Sequence, residues 1–179
     1  MEIRLPQQNA ILRPVRESDA ADVAHCCNDL QLAIDVGNPA FPHPYTLEHG
    51  KEFAAMASQP KGTFLHLCIA VNDKLVGMMG IVSDPTEHSA HAEVGYWVGA
   101  QARGQGLAAA GLDAFSQYAF ITFPQLNRLE AISFDYNTAS QRVLEKAGFT
   151  REAELKGRIF AGGHVLDEII YARHKPQAA

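Results

Sequence analysis

The sequence carries no excess of basic residues. Fifteen Lys and Arg residues against twenty Asp and Glu give a formal net charge of −5. Proteins that bind nucleic acid through its phosphates usually present a basic face, so this charge argues against a nucleic-acid partner. An acidic surface instead favours cationic substrates.

Cysteines and long apolar runs are also scarce. Cys26, Cys27 and Cys68 are the only cysteines, and their odd number and spacing match neither a disulfide framework nor a zinc site. We therefore expect reduced thiols, as in cytoplasmic proteins. The N-terminus lacks the apolar core of a secretory signal, and no apolar run approaches the ~20 residues of a membrane helix. These absences predict a cytoplasmic protein without a membrane partner.

Hydrophobic periodicity predicts an α/β protein. The chain has no repeats and no linker, so residues 1–179 are predicted to form one domain with a core at about 10–174. Helices among mostly antiparallel strands predict a single mixed sheet of about six to seven strands with helices on both faces. The predicted strands are 10–15, 64–71, 75–82, 92–98, 128–135, 151–160 and 165–174.

The predicted helices begin near residues 20, 47, 106 and 137. Apolar residues at helical spacing define the helix 106–121. Asn137 can cap a helix that ends at Ala147, with Gly148 in the left-handed conformation after it. Residues 35–46 contain three prolines and are predicted to form a shaped, irregular loop.

A glycine-rich turn, QARGQGLA at residues 101–108, stands between a predicted strand and a predicted helix. Its backbone N–H groups point together at the positive end of the helix and can hold an anion. Gly104 and Gly106 let the backbone approach a ligand closely because neither carries a Cβ atom. Arg103 can add charge or lie in solvent.

Two common phosphate-binding motifs fit this turn poorly. A Walker loop requires Lys and Ser or Thr after its last glycine, whereas leucine and alanine follow Gly106. A dinucleotide fold accepts the pattern from Gly104 to Ala109, but it also needs an acid about twenty residues further on. Residues 124–129 contain no acid, and the turn lies past mid-chain after an antiparallel meander.

A third motif fits better. Gln101-x-x-Gly104-x-Gly106 after a strand resembles the acyl-CoA pyrophosphate motif of the GNAT superfamily of N-acetyltransferases. The preceding strand, AEVGYWV, resembles the family's fourth strand. NTASQRVLEKAGF, which begins at Asn137, resembles its later Asn-x-x-Ser…Glu-Lys-x-Gly-Phe helix. FPHPYTLEHGKEF and the closing GGHVLDEIIYAR resemble the Rim-type ribosomal-protein N-terminal acetyltransferases and their relatives, including spermidine acetyltransferases.

The resemblance implies the GNAT fold with splayed central strands, and direct transfer of acetyl from acetyl-CoA to a primary amine without a metal. The turn would hold the CoA pyrophosphate, the pantetheine would run between the splayed strands, and a backbone N–H would stabilise the oxyanion. Asn137 can contact pantetheine or simply cap its helix, and Val98 can also be ordinary core. The implied cofactor-binding residues are Trp97, Val98, Gln101, Arg103, Gly104, Gln105, Gly106, Leu107, Ala108 and Asn137.

Ser140 and Glu93 are the catalytic residues that the resemblance implies. Many family members protonate the leaving thiolate with a tyrosine where this chain has Leu144, and Ser140 matches the acid proposed for Rim-type enzymes. A first-turn serine can also bond locally. Glu93 lies where several members place the general base, but it can equally be a paired surface carboxylate. Glu154, Glu168 or a chain of waters are alternative bases.

Phe41, Tyr45 and Phe160 are expected to bind the acceptor, or in the first two cases to anchor a loop to the core. His88 and His91 are expected to be solvated rather than metal ligands. The resemblance favours a protein N-terminus as acceptor and leaves a polyamine, an amino acid or an aminoglycoside open. A CoA-binding sensor without turnover is the alternative of another class, and dimers are common in the family, so a homodimer is also open.

Overall fold

One eight-stranded sheet runs through the computed structural model, which describes residues 1–38, 40–59, 64–81, 90–161 and 163–176. The spatial order is β1-β2-β3-β4-β5-β6-β8-β7. Neighbouring strands are antiparallel except β5 and β6, which are parallel. In chain order the strands are β1 (Ile3–Arg4), β2 (Ala10–Pro14), β3 (His66–Val71), β4 (Lys74–Ile81), β5 (His91–Val98), β6 (Arg128–Phe134), β7 (Thr150–Ala161) and β8 (His164–His174).

Helices cover both faces of the sheet, as the sequence predicts. The buried residues of α1 and α3 pack with Trp97 in one core cluster, and those of α4 and α5 pack with Phe149 in the other. Among the described residues, no helix is long and apolar enough to cross a membrane. The helices are α1 (Ala20–Cys27), α2 (Leu30–Val36), α3 (Leu47–Ser58), α4 (Leu107–Thr122) and α5 (Thr138–Lys146).

The sheet has eight strands rather than the expected six to seven because the N-terminus adds β1. This strand has only two residues, with Ile3 opposite Leu12 and Arg4 opposite Ile11 on β2. Two residues are too short to show the period-2 alternation by which strands are recognised.

The second difference from the sequence prediction is α2. Asp29 caps this helix by accepting hydrogen bonds from the amides of Gln31 and Leu32, and Gly37 ends it in the left-handed conformation with φ 64°. The helix thus enters the first two residues of the loop predicted at 35–46. Seven residues make only two turns, which is too short for a clear helical period.

The β3–β4 hairpin is tighter than the sequence indicates. Asn72 and Asp73 both have positive φ, 50° and 66°, as a two-residue hairpin turn requires. Leu67 and Ile69 on one face of β3 are buried, and so are Cys68 and Ala70 on the opposite face. β3 is therefore a central strand covered on both sides.

Helix α5 begins and ends as predicted. The Asn137 side chain accepts a hydrogen bond from the Ser140 amide at 3.0 Å. At the other end Gly148 has φ 81°, and the Phe149 amide donates to the Leu144 carbonyl. These bonds form a Schellman motif with its apolar contact, and they fix the register that places Ser140 on the first turn.

Candidate active site

A gap opens between the two parallel strands at the centre of the sheet. β5 and β6 pair over only three residues each, ending with Glu93 opposite Glu130. Beyond that point β5 continues along β4 as far as Val98, and β6 continues along β8 as far as Phe134. We call the space between residues 94–98 of β5 and 131–134 of β6 the gap.

The backbone of β5 presents polar groups to the gap. The amide of Gly99, the residue after β5, donates to the carbonyl of Val76 on β4 at 2.9 Å, so Gly99 directs its backbone groups toward β4. Alternate residues of a strand direct their N–H and C=O groups to opposite sides, so Tyr96 and Val98 direct theirs away from β4. Of the two residues predicted nearest the thioester, Val98 therefore offers its amide to the gap and Trp97 offers its amide to β4.

The glycine-rich turn lies at the end of β5 and opens α4. Gly104 and Gly106 both have φ 74°, a conformation that favours glycine. Gly106 is the N-cap of α4 and supplies no capping side chain, and Leu107 is buried beneath the first turn. The backbone amides of the first turn of α4 have no acceptor within the helix, which is the arrangement that binds a phosphate.

Three side chains of the turn are held by neighbours. The Gln101 side chain donates to the Cys26 sulfur at 3.1 Å, and Gln105 donates to the Gln101 carbonyl at 3.1 Å. Arg103 donates to the Val98 carbonyl at 3.3 Å and to Asp29 at 2.7 Å. Gln101 thus ties the turn to α1, whereas Arg103 is partly exposed and paired with the cap of α2.

Helix α2 bridges the open end of the gap. The N-terminal end of α2 is held to the glycine-rich turn by the Asp29–Arg103 ion pair. At its other end Tyr136, just after β6, donates to Asp35 at 3.2 Å. Gly37 lies against the ring of Phe134, because a Cβ atom there would come within 2.4 Å of that ring. We call α2, with the flanking residues Asp29 and Gly37, the bridge. It joins the chain after β5 to the end of β6 and the chain that follows it.

One face of the gap carries two hydroxyl groups. The Tyr96 hydroxyl lies 2.8 Å from the Ser140 Oγ and 3.1 Å from the Ser140 carbonyl oxygen. Burial raises the pKa of Tyr96 to about 12, and the hydrogen bond with Ser140 offsets part of that rise. We call this pair the hydroxyl face. It lies on the side covered by α4 and α5.

The opposite face carries three carboxylates. Glu93 lies four residues before Trp97, which packs with α1 and α3, so strand alternation directs both side chains to that side of the sheet. Glu130 is opposite Glu93, and Glu168 on β8 is opposite Phe134, four residues after Glu130, so these two carboxylates lie on the same side. Burial raises the pKa of Glu93, and the charges of Glu130 and Glu168 raise it further. We call these three residues the carboxylate face.

Glu130 and the two alternative bases, Glu154 and Glu168, are engaged with cations. The Glu130 carboxylate accepts from Arg128 at 2.7 Å, and the buried Glu168 lies 3.5 Å from Arg158. Glu154 is exposed, and a hydrogen bond from Lys156 lowers its pKa. A base needs a pKa near the working pH, so the raised pKa of Glu93 favours it over Glu154.

The residues predicted to bind the acceptor lie apart from one another. Tyr45 is buried in the core cluster of α1 and α3, and its ring centroid is 5.2 Å from that of the half-buried Phe41. Phe160 is 75 % exposed near the turn of the β7–β8 hairpin, opposite Val165. Tyr45 therefore supports the Pro-rich loop, while Phe41 and Phe160 retain accessible surface.

Among the residues that the structure describes, the thiols and histidines show no arrangement for nucleophilic or metal chemistry. Cys26, Cys27 and Cys68 are buried, and burial raises the pKa of the last two to about 12. Such thiols remain protonated and are poor nucleophiles. Within the described part of the chain, no three His, Cys, Asp or Glu side chains are grouped to hold a metal ion. His88 lies outside the described residues.

Comparison with known proteins places this geometry in a family. Residues 9–150 match the family described as Acetyltransferase (GNAT) domain. The chain therefore belongs to the GNAT acetyltransferases and is an acetyl-CoA-dependent N-acetyltransferase. It is also 25% identical over 177 residues to the protein named "Uncharacterized N-acetyltransferase YoaA" of Bacillus subtilis (strain 168), and the match covers 97% of each chain.

Solved structures share the fold over almost the whole chain. RimJ of Mycobacterium smegmatis, in complex with CoA-disulfide, is 27% identical with a TM-score of 0.82, and the match covers 97% of this chain and 86% of RimJ. RimL, a ribosomal L7/L12 alpha-N-protein acetyltransferase in complex with coenzyme A, has a TM-score of 0.83 at 19% identity, covering 97% and 98%. The splayed central strands and the Rim-type resemblance predicted from the sequence are thus confirmed.

Sequence reasoning missed two features of this site. The contact of Tyr96 with Ser140 was not predicted, although a tyrosine on a buried strand face needs a partner for its hydroxyl group. The bridge was missed as well, although an aspartate at position 29 is a typical helix cap. Both features depend on contacts between residues far apart in the sequence.

Proposed function

We propose that this enzyme acetylates the α-amine of a protein or peptide N-terminus in a ternary complex with acetyl-CoA. The observation that carries the proposal is the gap, which has hydroxyl groups on one face and carboxylates on the other. Transfer to an amine requires that the amine lose a proton and that the leaving thiolate gain one. The two faces offer the groups for these two steps.

The donor is proposed to bind along the gap. The amides at the start of α4 hold the pyrophosphate, with Arg103 adding positive charge, and the pantetheine lies beside the backbone groups that β5 directs to the gap. The Val98 amide, which is directed to the gap, is the proposed donor to the developing oxyanion. Asn137 caps α5 just beyond the end of β6, and we propose that it also contacts the pantetheine there.

Proton transfers are assigned to one residue on each face. Ser140 gives its hydroxyl proton to the sulfur as the carbon–sulfur bond breaks. Glu93 takes the proton of the attacking amine, directly or through water, and its raised pKa makes it a stronger base than an ordinary glutamate. Because the two residues project from opposite sides of the sheet, the acid and the base approach the thioester from opposite directions.

The acceptor assignment rests on likeness to Rim-type enzymes. Segments 41–53 and 162–173 resemble those enzymes in sequence, and the RimJ and RimL structures share the fold over 97% of this chain. A protein N-terminus is a cationic amine on an extended chain, which suits the carboxylate face and the accessible side chains of Phe41 and Phe160. The second copy that would form a homodimer is part of the same proposal by family likeness only.

A panel of acceptors tests this assignment. Release of free CoA from acetyl-CoA is measured with a lysine-free peptide bearing a free α-amine, and with a control peptide that has a blocked α-amine and one lysine. Spermidine and an aminoglycoside complete the panel, and mass spectrometry locates the acetyl group. We expect acetylation of the free α-amine and none of the blocked peptide.

Other outcomes assign the protein to another class. Acetylation of spermidine or the aminoglycoside without the peptide would make it a small-molecule N-acetyltransferase. Binding of CoA without acetylation of any amine would support a sensor without turnover. The Ser140→Ala variant is the matched control, since it removes the proposed acid and leaves the pyrophosphate turn intact.

A further inference from the structure

The Tyr96 hydroxyl makes two contacts with a single residue. It lies 2.8 Å from the side-chain oxygen of Ser140 and 3.1 Å from the carbonyl oxygen of the same residue. Tyr96 belongs to β5 and Ser140 to the first turn of α5, so the contact joins two elements 44 residues apart. Both partners border the gap in which the thioester is proposed to lie.

The surroundings make this contact specific. The Tyr96 backbone groups point into the gap, and its side chain points to the α5 side of the sheet. Ser140 is fixed independently, because the Asn137 side chain accepts a hydrogen bond from its amide at 3.0 Å. The two hydroxyl groups therefore meet through the backbone geometry of two rigid elements, which favours a constant distance between them.

We propose that Tyr96 is a positioning and relay residue for Ser140, holding its hydroxyl toward the sulfur and replacing the proton that Ser140 gives up. The inference rests on the proposed function, in which Ser140 is the acid. A phenol carries one proton. When Tyr96 donates it to the Ser140 Oγ, the proton of Ser140 is free to point at the leaving sulfur.

The proton balance explains why a relay is useful. As the carbon–sulfur bond breaks, its electron pair stays on sulfur and takes the Ser140 proton, while the Tyr96 proton moves to the Ser140 Oγ. The charge left in the protein is then a phenolate rather than the alkoxide of an aliphatic alcohol, which is a much weaker acid. Water returns a proton to Tyr96 before the next turnover. Burial keeps the Tyr96 pKa at about 12, so the phenol is protonated at the start of each cycle.

A double-mutant cycle tests this inference. We expect Ser140→Ala to lower kcat about 100-fold and Tyr96→Phe about tenfold, with KM for acetyl-CoA unchanged. Because Tyr96 acts through Ser140, adding Tyr96→Phe to Ser140→Ala should change kcat less than about twofold. Equal factors in the two backgrounds would mean that Tyr96 contributes only packing, and would overturn the inference.

Tyr171→Phe is the matched control. Tyr171 is a buried tyrosine on the same side of the sheet, and its hydroxyl contacts α5 at Glu145, 3.4 Å away, rather than at Ser140. Its loss should leave kcat within about twofold of the wild type. If Tyr96→Phe and Tyr171→Phe behave alike, the inference is wrong.

A second variant keeps the packing of Tyr96 and changes only its acidity. A fluorinated tyrosine at position 96 lowers the phenol pKa, so the relay should fail as pH rises through that lowered pKa. We expect kcat of this variant to fall at high pH where the wild type does not. Identical pH profiles for the two proteins would contradict the relay.

Failure of the proposed function gives a different pattern. Full activity of Ser140→Ala would show that Ser140 is not the acid. Low activity of Ser140→Ala, combined with an additive effect of Tyr96→Phe, would contradict the relay and leave the acid role of Ser140 in place. If no amine in the panel is acetylated, the same cycle is measured on acetyl-CoA hydrolysis, which releases the same thiolate. The relay then predicts the same non-additivity, and additive effects on hydrolysis would overturn it.

Discussion

The two faces of the gap differ in chemistry, although β5 contributes one residue to each of them. Tyr96 projects from β5 to the hydroxyl face, where it meets Ser140. Glu93, three residues earlier on the same strand, projects to the carboxylate face beside Glu130 and Glu168. Because side chains alternate along a strand, an odd spacing is enough to place Tyr96, the partner of the proposed acid, and Glu93, the proposed base, on opposite sides of the sheet.

The separation has a physical consequence for both groups. A hydrogen bond from a hydroxyl to the Glu93 carboxylate would favour its charged form and lower its pKa. Burial raises the pKa of Glu93, and the two neighbouring carboxylates of its own face raise it further. The sheet thus lets each face set the proton affinity of its own residue.

Removal of the proposed acid should have the largest effect. Ser140→Ala is expected to lower kcat about 100-fold because the thiolate then leaves without a proton donor from the hydroxyl face. Steady-state rates of CoA release measure this loss. Affinity for CoA should be retained, because the turn at residues 101–108 is untouched. A variant with wild-type kcat would remove the catalytic role of this face.

Removal of the proposed base should have a smaller effect. Glu93→Gln keeps the size of the side chain and is expected to lower kcat/KM about tenfold, since water can take over part of the proton transfer. Glu130→Gln is the comparison variant on the same face, and it should retain most of the activity. Equal losses in the two variants would show that the face acts only through its total charge.

The bridge offers a test at the end of the gap. Arg103→Ala is expected to raise KM for acetyl-CoA about fivefold, a modest effect because Arg103 is partly exposed. Asp29→Asn keeps a good helix cap and removes the competing charge, so it should leave KM unchanged or lower it. If Asp29→Asn raises KM as much as Arg103→Ala, the ion pair rather than the free guanidinium holds the donor.

The smallest effect is expected at the cap of α5. Asn137→Ala removes the hydrogen bond to the Ser140 amide and should lower the free energy of unfolding by about 1 kcal/mol. Asn137→Asp restores a cap and should recover most of it. Denaturant unfolding measures both variants. Unchanged stability of Asn137→Ala with weaker CoA binding would instead assign Asn137 to the pantetheine.

The elements around the gap were readable from the sequence because each has a strong local signal. Helix α4 follows a long apolar period, and α5 carries both an N-cap and a left-handed glycine. β1 and α2 were not readable, since two and seven residues show no clear period. Tertiary contacts, such as the pairing of Ile3 with Leu12, stabilise them instead.

The site was predictable to the extent that it consists of local motifs. Gly104 and Gly106 have the positive φ that the glycine-rich turn requires, and Glu93 and Ser140 lie beside the gap. The contact between Tyr96 and Ser140 could not be predicted, because it depends on how α5 packs on the sheet. The residues expected to bind the acceptor were least readable, since Phe41 lies in an irregular loop and the strand prediction for Phe160 does not show which segment its side chain faces.

The pH dependence of kcat/KM tests the separation of the two faces most directly, measured with one acceptor for the wild type, Glu93→Gln and Ser140→Ala. Glu93 must be deprotonated to act, so activity should fall with falling pH through a pKa above that of an ordinary glutamate. We expect Glu93→Gln to remove this acidic limb, and Ser140→Ala to lower the rate at every pH without moving it. An acidic limb that survives Glu93→Gln, or that shifts in Ser140→Ala, would contradict the account.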